Sequence, residues 1–583
     1  MLGRYTRRCA SSQNRGKNSS ELIAIELGQE DALSGSLTYK KDFGVLHYPA
    51  TRASTPEHGQ KSAGKRQSSV PDQPHPIHHL MQRAEQEWNE KVARQSRSFA
   101  EAIAKYHHRY DQPPPKGFEV WYAFAVENNV QMIDEYDSIY EKILPFAAIP
   151  QHVLKARADM SQNREEFWLQ HHGITINIEN MGKNVTARGP MMESSKHRVD
   201  EVMKLIKDIV PLLPRDVNFT FTGHDIPWIV VGGEQKQKHI AAAIEKRYFG
   251  DDRRRGGWAS MCPPGSPLRR ATPFDARMEW KPPSGLTLIE NHIDSMDVCH
   301  HPENQGLHGF TAWDGPRPAL FFPMFSFTSS HLHNDLLLPA LEQYGRPVGP
   351  DPIWSKKKKN ELCGEVGRTN ENITVAVSVS VDDKPNQPGN LTLHSAPASS
   401  WAKHYFDFQF SGCAQQCGTQ AMCRSFEAEH RWDAYMSEAQ QNEYKYVLDV
   451  DGNGWSGRFH RLMASNSLVL KSTIFPEWYA ERIQPWYHYV PVNVDHQDLY
   501  SIMAFFKGDL EGKGGHDVST EQIAMQGKEW TEGHWRWVDM QACEQFRCCR
   551  LAPRSAASES STEHDTDVLL VQYRAMERPE RLP

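Results

Sequence analysis

The sequence predicts an α/β fold with two regions of strand–helix alternation behind a helical N-terminal extension. Three observations carry that reading. From Ile77, apolar residues recur at Leu80, Met81, Ala84, Trp88, Val92, Phe99, Ile103 and Tyr106, the three-to-four spacing of a long amphipathic helix. Between Gly173 and Val231, the β-like runs "GITINIENMGKNVTARG" and "VNFTFTGHDIPWIVV" flank the helix-period segment "HRVDEVMKLIKDIVPLLP". From Phe426 the alternation returns as a helix, the strand "YKYVLDVD", a glycine turn, the helix "RFHRLMAS" and the strand "SLVLKST".

Taken in order, residues 1–74 are rich in Ser, Gly, Gln and charge and are expected to be mostly disordered. Residues 75–170 form the helical extension. "DQPPPKGF" stops its first helix, since proline cannot continue one and glycine permits the turn. A second helical run spans Trp121 to Phe146, with Asp134, Glu135 and Asp137 expected on its solvated face. Residues 171–345 form the first α/β domain, in which "DDRRRGGW" and the proline-rich stretch to Gly285 are a loop. "LFFPMFSFT" then reads as a buried strand and "DLLLPALEQYG" as a helix. The alternation is lost over 346–425, which reads as an irregular, misassembled segment. Residues 426–550 form the second α/β domain, and 551–583 a polar, disordered tail. There is no internal repeat.

The chain has 583 residues, 39% hydrophobic and 24% charged, enough for about three or four domain-sized units with packed cores. A formal charge of −7 argues against a nucleic-acid partner, which calls for a basic face. No apolar run of about 18 residues reads as a membrane span. "MLGRYTRRCASSQNRGKNSS" lacks the apolar region of a signal peptide, so membrane association is expected only through an anchor missing from this N-terminus. The ten cysteines do not have paired zinc-ligand spacing in either cluster (Cys413, Cys417, Cys423; Cys543, Cys548, Cys549), and fit two or three disulfides in a secretory chain. N-x-S/T triplets at Asn18, Asn184, Asn218, Asn372 and Asn390 permit that location.

The chemistry concentrates in the stretch from Tyr444 to Trp478. A strand feeding a glycine turn and a helix aims backbone N–H groups at one spot, which suits a phosphate or diphosphate. Gly452, Gly454 and Gly457 give the GxGxxG spacing, Arg458 can pair with phosphate oxygens, and Glu477 beyond the next strand can accept from ribose hydroxyls. A nicotinamide enzyme would use the same parts, but too little chain follows Gly457 for a second mononucleotide half. Asp449-Val-Asp451 has the form of a metal-holding DxD, yet it falls at a strand end where Asp451 is expected to support the turn. Asp225 sits at the C-terminal end of a strand, where open α/β sheets place chemistry, and can act as a general base or merely satisfy a turn amide. "DSMDVCHHPEN" and "SSHLHND" carry zinc-compatible residue types without zinc spacing. Ser456 is not a nucleophile elbow, because Arg458 occupies the position of the second glycine.

The run "YKYVLDVDGNGWSGRFHRLMASNSLVLKSTIFPEWYAERIQPWYHYVPVNVDHQDL" resembles the core of the capsule-associated and Rumi-type glycosyltransferases, glycosyltransferase family 90. "HPIHHLMQRAEQEWNEKVARQS", "PPPKGFEVWYAFAVENNVQMIDEYDSIYEKILPF" and "GHDIPWIVV" are similar to the family's fungal branch. The resemblance implies a GT-B fold, two Rossmann-like domains facing a cleft. It implies inverting transfer of xylose or glucose from a UDP-sugar to a hydroxyl of a glycan or glycoprotein, without a metal or other cofactor, in the ER or Golgi lumen. Asp225-Ile-Pro227 matches the family's base motif, so Asp225 takes the role of catalytic base. The donor-binding role falls to Gly454, Ser456, Gly457, Arg458, Ser472, Thr473 and Glu477. The family's aromatic-Arg-Gly donor segment has no clean counterpart in "WSKKKKNELCGEVGRTN", where Arg368 is the nearest match. That departure keeps an alternative open: a catalytically impaired relative that binds a sugar nucleotide or glycan.

Overall fold

The computed structural model describes residues 40–49, 69–154, 156–157, 173–180, 182–189, 193–213, 216–249, 257–270, 285–312, 315, 321, 323–364, 372–379, 390–408, 410–414, 417 and 419–551. The extension forms two helices rather than one, Pro76–Ala93 and Phe99–Tyr110. Capping ends the first and starts the second. Asp134 accepts from the Ser96 amide (2.7 Å) and hydroxyl (2.9 Å), and Ser98 accepts from the Glu101 amide. Such side-chain bonds offer the backbone an alternative to continuing the helix. The predicted stripe is otherwise buried at Ile77, Leu80, Ala84, Trp88, Phe99, Ile103 and Tyr106.

Asp134 and Glu135 do not lie on a solvated helix face. The helix Phe118–Glu127 ends at Asn128, Asn129 turns the chain with φ 52°, and the next helix starts only at Asp137. Both carboxylates therefore point inward, Asp134 to Ser96 and Lys105, and Glu135 to Arg94 (2.9 Å). The extension then packs its rings, Phe118, Trp121 and Tyr136, on Phe546 of the C-terminal helix Trp537–Leu551.

Two five-stranded sheets form the α/β body. The first runs in the order Asn184–Arg188, Gly173–Glu179, Val217–Thr222, Met324–Ser326, Leu336–Leu337. Its first three strands are antiparallel and its last three parallel. Pro339 separates Leu336–Leu337 from the short helix Leu341–Tyr344, so "DLLLPALEQYG" is strand then helix. The second sheet, Phe406–Phe408, Lys359–Gly364, Tyr444–Val450, Leu468–Ser472, Val490–Pro491, is parallel throughout. Helices and loops cover both its faces, and Tyr446, Val447, Leu448, Leu468, Val469 and Leu470 are all buried, as parallel strands require.

Two of those strands come from the stretch read as irregular: Leu362 pairs with Tyr446 and with Phe406. Its hairpin Asn372–Val379/Asn390–Pro397 continues into Ser69–Pro74. Residues 40–49 form a ribbon with Gly285–Ile289, so the described part of the N-terminal segment read as disordered is strand. The rest of that segment, and the tail beyond residue 551, lie outside the described residues.

Disulfides join Cys262 to Cys299 and Cys417 to Cys423. The first closes a separation of 37 residues beside the core of Trp258, Phe310 and Phe475. By loop-closure entropy, Cys262→Ser with Cys299→Ser is expected to cost about 3–4 kcal/mol. A thermal or denaturant melt of the oxidised full chain against the double variant checks this.

Candidate active site

The Val217–Thr222 strand delivers Gly223-His224-Asp225 to the gap between the two sheets. Gly223 has no room for a side chain, since a Cβ there would stand 2.6 Å from the Ser195 hydroxyl. Beyond Asp225 the loop is fixed by Asp335, which is fully buried and accepts from the amides of Trp228 (2.9 Å) and Ile229 (2.7 Å). Arg198, on the helix Glu193–Ile206, donates to Asp225 Oδ1 (2.5 Å), the Gly223 carbonyl (2.6 Å) and Glu342 (2.7 Å). Its guanidinium also lies over the Trp455 ring at 5.3 Å. Burial pushes the Asp225 pKa up, but the Arg198 hydrogen bond and charge, with Asn453, outweigh it and hold the carboxyl below its ordinary value.

The glycine turn comes from the other sheet. Asn453 Nδ2 donates to Asp225 Oδ2 at 3.2 Å, across 228 residues of sequence. A Cβ on Gly454 would lie 2.0 Å from the Asp225 carbonyl oxygen. None of Gly452, Gly454 and Gly457 has a positive φ. At Gly454 the glycine therefore provides closeness to Asp225 rather than a left-handed turn.

Behind the turn, Asp449 is fully buried. It accepts from Ser456 Oγ (2.5 Å) and Lys471 Nζ (3.0 Å), and lies 3.7 Å from Arg458. Asp451 accepts from the Ile474 amide (3.0 Å) and meets His308 at 3.1 Å, bracing the turn against its neighbours. Among the described residues no group of three His, Cys, Asp or Glu could hold a metal ion. In "DSMDVCHHPEN", Cys299 is in a disulfide, and Asp297 pairs with His300 at 2.8 Å. The helix after the turn is only Phe459–Met463.

A cavity of about 690 Å³ opens beside Asp225, lined by His197, Arg198, His224, Glu342 and Arg346 among others. Glu477 faces a second, smaller cavity of about 230 Å³ with Lys471 and Thr473. Its carboxylate accepts from Gln343 (2.9 Å) and Tyr479 (2.5 Å), and Gln343 also donates to the Ser456 carbonyl (2.7 Å), tying Glu477 to the turn. Ser472 donates to the Asn493 carbonyl, and Thr473 accepts from the Phe475 amide (3.0 Å). The structure thus brings Asp225, Gly454, Ser456, Gly457 and Arg458 to one place and links Glu477 to them. Ser472 and Thr473 stay at the neighbouring strand end, and Arg368 lies outside the described residues.

Burial raises the Glu477 pKa to about 7 against the pull of Lys471. A carboxyl with a raised folded pKa stabilises the fold fully below its unfolded value of 4.5, and that contribution is lost as pH rises through about 7. Glu477→Gln is therefore expected to flatten the fall of stability between those values, measured as melting temperature against pH for both chains.

Sequence reading missed Arg198, Gln343, Lys471 and Arg346. Arg198 had one signal: it stands in helical register with the buried Val202, Leu205 and Ile209, a cation where the pattern calls for an apolar residue.

Residues 414–542 match the sequence model of Glycosyl transferase family 90. This segment belongs to glycosyltransferase family 90. The chain is 32% identical over 93 residues to protein O-glucosyltransferase 2 of Danio rerio, covering 16% of this chain and 17% of that protein. It is 28% identical over 101 residues to protein O-glucosyltransferase 1 of Homo sapiens, 17% of this chain and 24% of the other. To O-glucosyltransferase LpsA of Dichelobacter nodosus it is 36% identical over 75 residues, 12% and 24% of the two chains. The matches thus span about a fifth of these relatives' length. The family 90 segment contains the glycine turn, Arg458, Ser472, Thr473 and Glu477, while Asp225 and its Arg198 clamp lie outside it.

Proposed function

We propose that the chain is an inverting glycosyltransferase that moves xylose or glucose from a UDP-sugar to a hydroxyl of a glycan or glycoprotein acceptor, its two sheets serving as the halves of a GT-B arrangement. The observation that supports this best is the meeting of Asp225 with the glycine turn of the family 90 segment, through Asn453 and Gly454. In this reading Asp225, kept ionised by Arg198, takes the proton of the acceptor hydroxyl as it attacks the anomeric carbon. Arg458 stabilises the charge that grows on the departing UDP, a role that asks for no metal. The cleft holds the two substrates in line.

Two disulfides favour an oxidising compartment, which supports a secretory-pathway lumen. Among the described residues no helix is long and apolar enough to cross a membrane.

The Arg198 ion pair also favours a second reading, because a carboxylate so engaged is a weaker base: a relative that binds the sugar nucleotide or glycan without transfer. UDP release from UDP-glucose or UDP-xylose, together with product formed on an acceptor, separates the two. Turnover abolished by Asp225→Asn supports transfer. UDP binding with no turnover under any acceptor condition supports the second reading.

A further inference from the structure

Arg198 is shared between two carboxylates, Asp225 and Glu342, and His197 faces Glu342 as well. Arg346, on the loop after Leu341–Tyr344, lines the same cavity and has no ion pair among the described residues. Its guanidinium lies 3.7 Å from where a Cβ on Gly457 would stand, so it reaches the glycine turn from the first-sheet side. Arg458 follows Gly457 directly, and its nearest carboxylate, Asp449 at 3.7 Å, is already bonded to Lys471. Below them Arg461 is 2% exposed, bonded to Gln441 and Asn442, with no carboxylate at ion-pair distance among the described residues. The Glu438 carboxylate and, more weakly, the charges of Arg458 and Arg346 bear on it. Arg346 and Arg458 thus flank Gly457 and neither has a carboxylate to itself, a pair of like charges that an anion would relieve.

We infer that Arg346 and Arg458 form a two-armed receptor for a diphosphate group, one arm from each side of the cleft. The inference rests on the nucleotide-sugar reading and deepens it. Arg458 holds the diphosphate from the family 90 segment, and Arg346 closes on it from the half that carries Asp225. Guanidinium groups suit this because their planar donors match phosphate oxygens in pairs.

The test is titration calorimetry of UDP, UMP and uridine into the full chain, R346Q and R458Q. Arg346 is exposed, so its replacement leaves the fold intact. R346Q is expected to weaken UDP binding by about tenfold or more, from loss of charged hydrogen bonds. Uridine binding should not change, and the salt dependence of UDP affinity should become shallower. UDP affinity in R346Q within twofold of the unsubstituted chain, with R458Q impaired, would overturn the role of Arg346 and leave the nucleotide reading standing. An equal loss for UDP and uridine would also overturn it, since that marks a general disturbance of the pocket. Failure of the unsubstituted chain to bind UDP would overturn both.

Discussion

Asp225→Asn is expected to reduce sugar transfer by about a hundredfold to ten-thousandfold while leaving UDP affinity unchanged. Asparagine keeps the shape and can still face Asn453, but it cannot take a proton from a hydroxyl. The fold should survive. The Asp225 side chain is 37% exposed and solvent screens its pair with Arg198, so the stability cost stays within about 1 kcal/mol. The pH dependence follows from the lowered pKa. A carboxylate depressed by a cation contributes stability above its unfolded pKa and loses it as pH falls through the folded one. The acid limb of transfer due to Asp225 should therefore lie below the ordinary aspartate range. Arg198→Met would move it upward, and a profile unmoved by that change would separate Asp225 from the limb. Transfer by Asp225→Asn at the original rate would remove it as the base.

Gly454→Ala is the second large effect. The new methyl would stand 2.0 Å from the Asp225 carbonyl oxygen and 3.0 Å from Thr328 Cγ2. Neither the backbone carbonyl nor the turn can yield without parting, and a displacement of about 1 Å in a reacting pair costs on the order of a hundredfold in rate. Transfer should fall by at least that much. UDP held through Arg458 should lose only a few-fold in affinity, because the substitution moves the turn from Asp225 rather than from its own helix. Full activity in Gly454→Ala would show that the observed approach of turn and base is not the reacting geometry.

The glycine turn shows how far the sequence could be read. Strand, turn, short helix and strand lay in the local pattern from Tyr444 to Ser472, because hydrophobic period and glycine spacing are local signals. The contact that makes Gly454 a glycine was not legible, since its partner is Asp225 on another sheet. Asp134 and Glu135 failed for a related reason. Helix period suggested a solvated face, but the chain left the helix at Asn128 and the carboxylates turned inward to Ser96 and Arg94. The stretch from Lys359 to Phe408 read as irregular because its strand Lys359–Gly364 opens with three polar residues and takes its place only through pairing with Phe406–Phe408 and Tyr444–Val450. Arg346 carried no signal at all: an exposed arginine beside a proline becomes informative only when the fold sets it against Gly457.

In the proposed reading, one UDP-binding turn and one base from the opposite sheet form a single transfer site. Titration of UDP into the full chain, Asp225→Asn and Arg458→Gln separates the two contributions. UDP affinity is expected to be equal in the first two and to fall by about tenfold or more in the third, from a missing charged phosphate contact. Absence of UDP binding to the full chain at millimolar concentration, or unchanged affinity in Arg458→Gln, would rule out a UDP site at this turn.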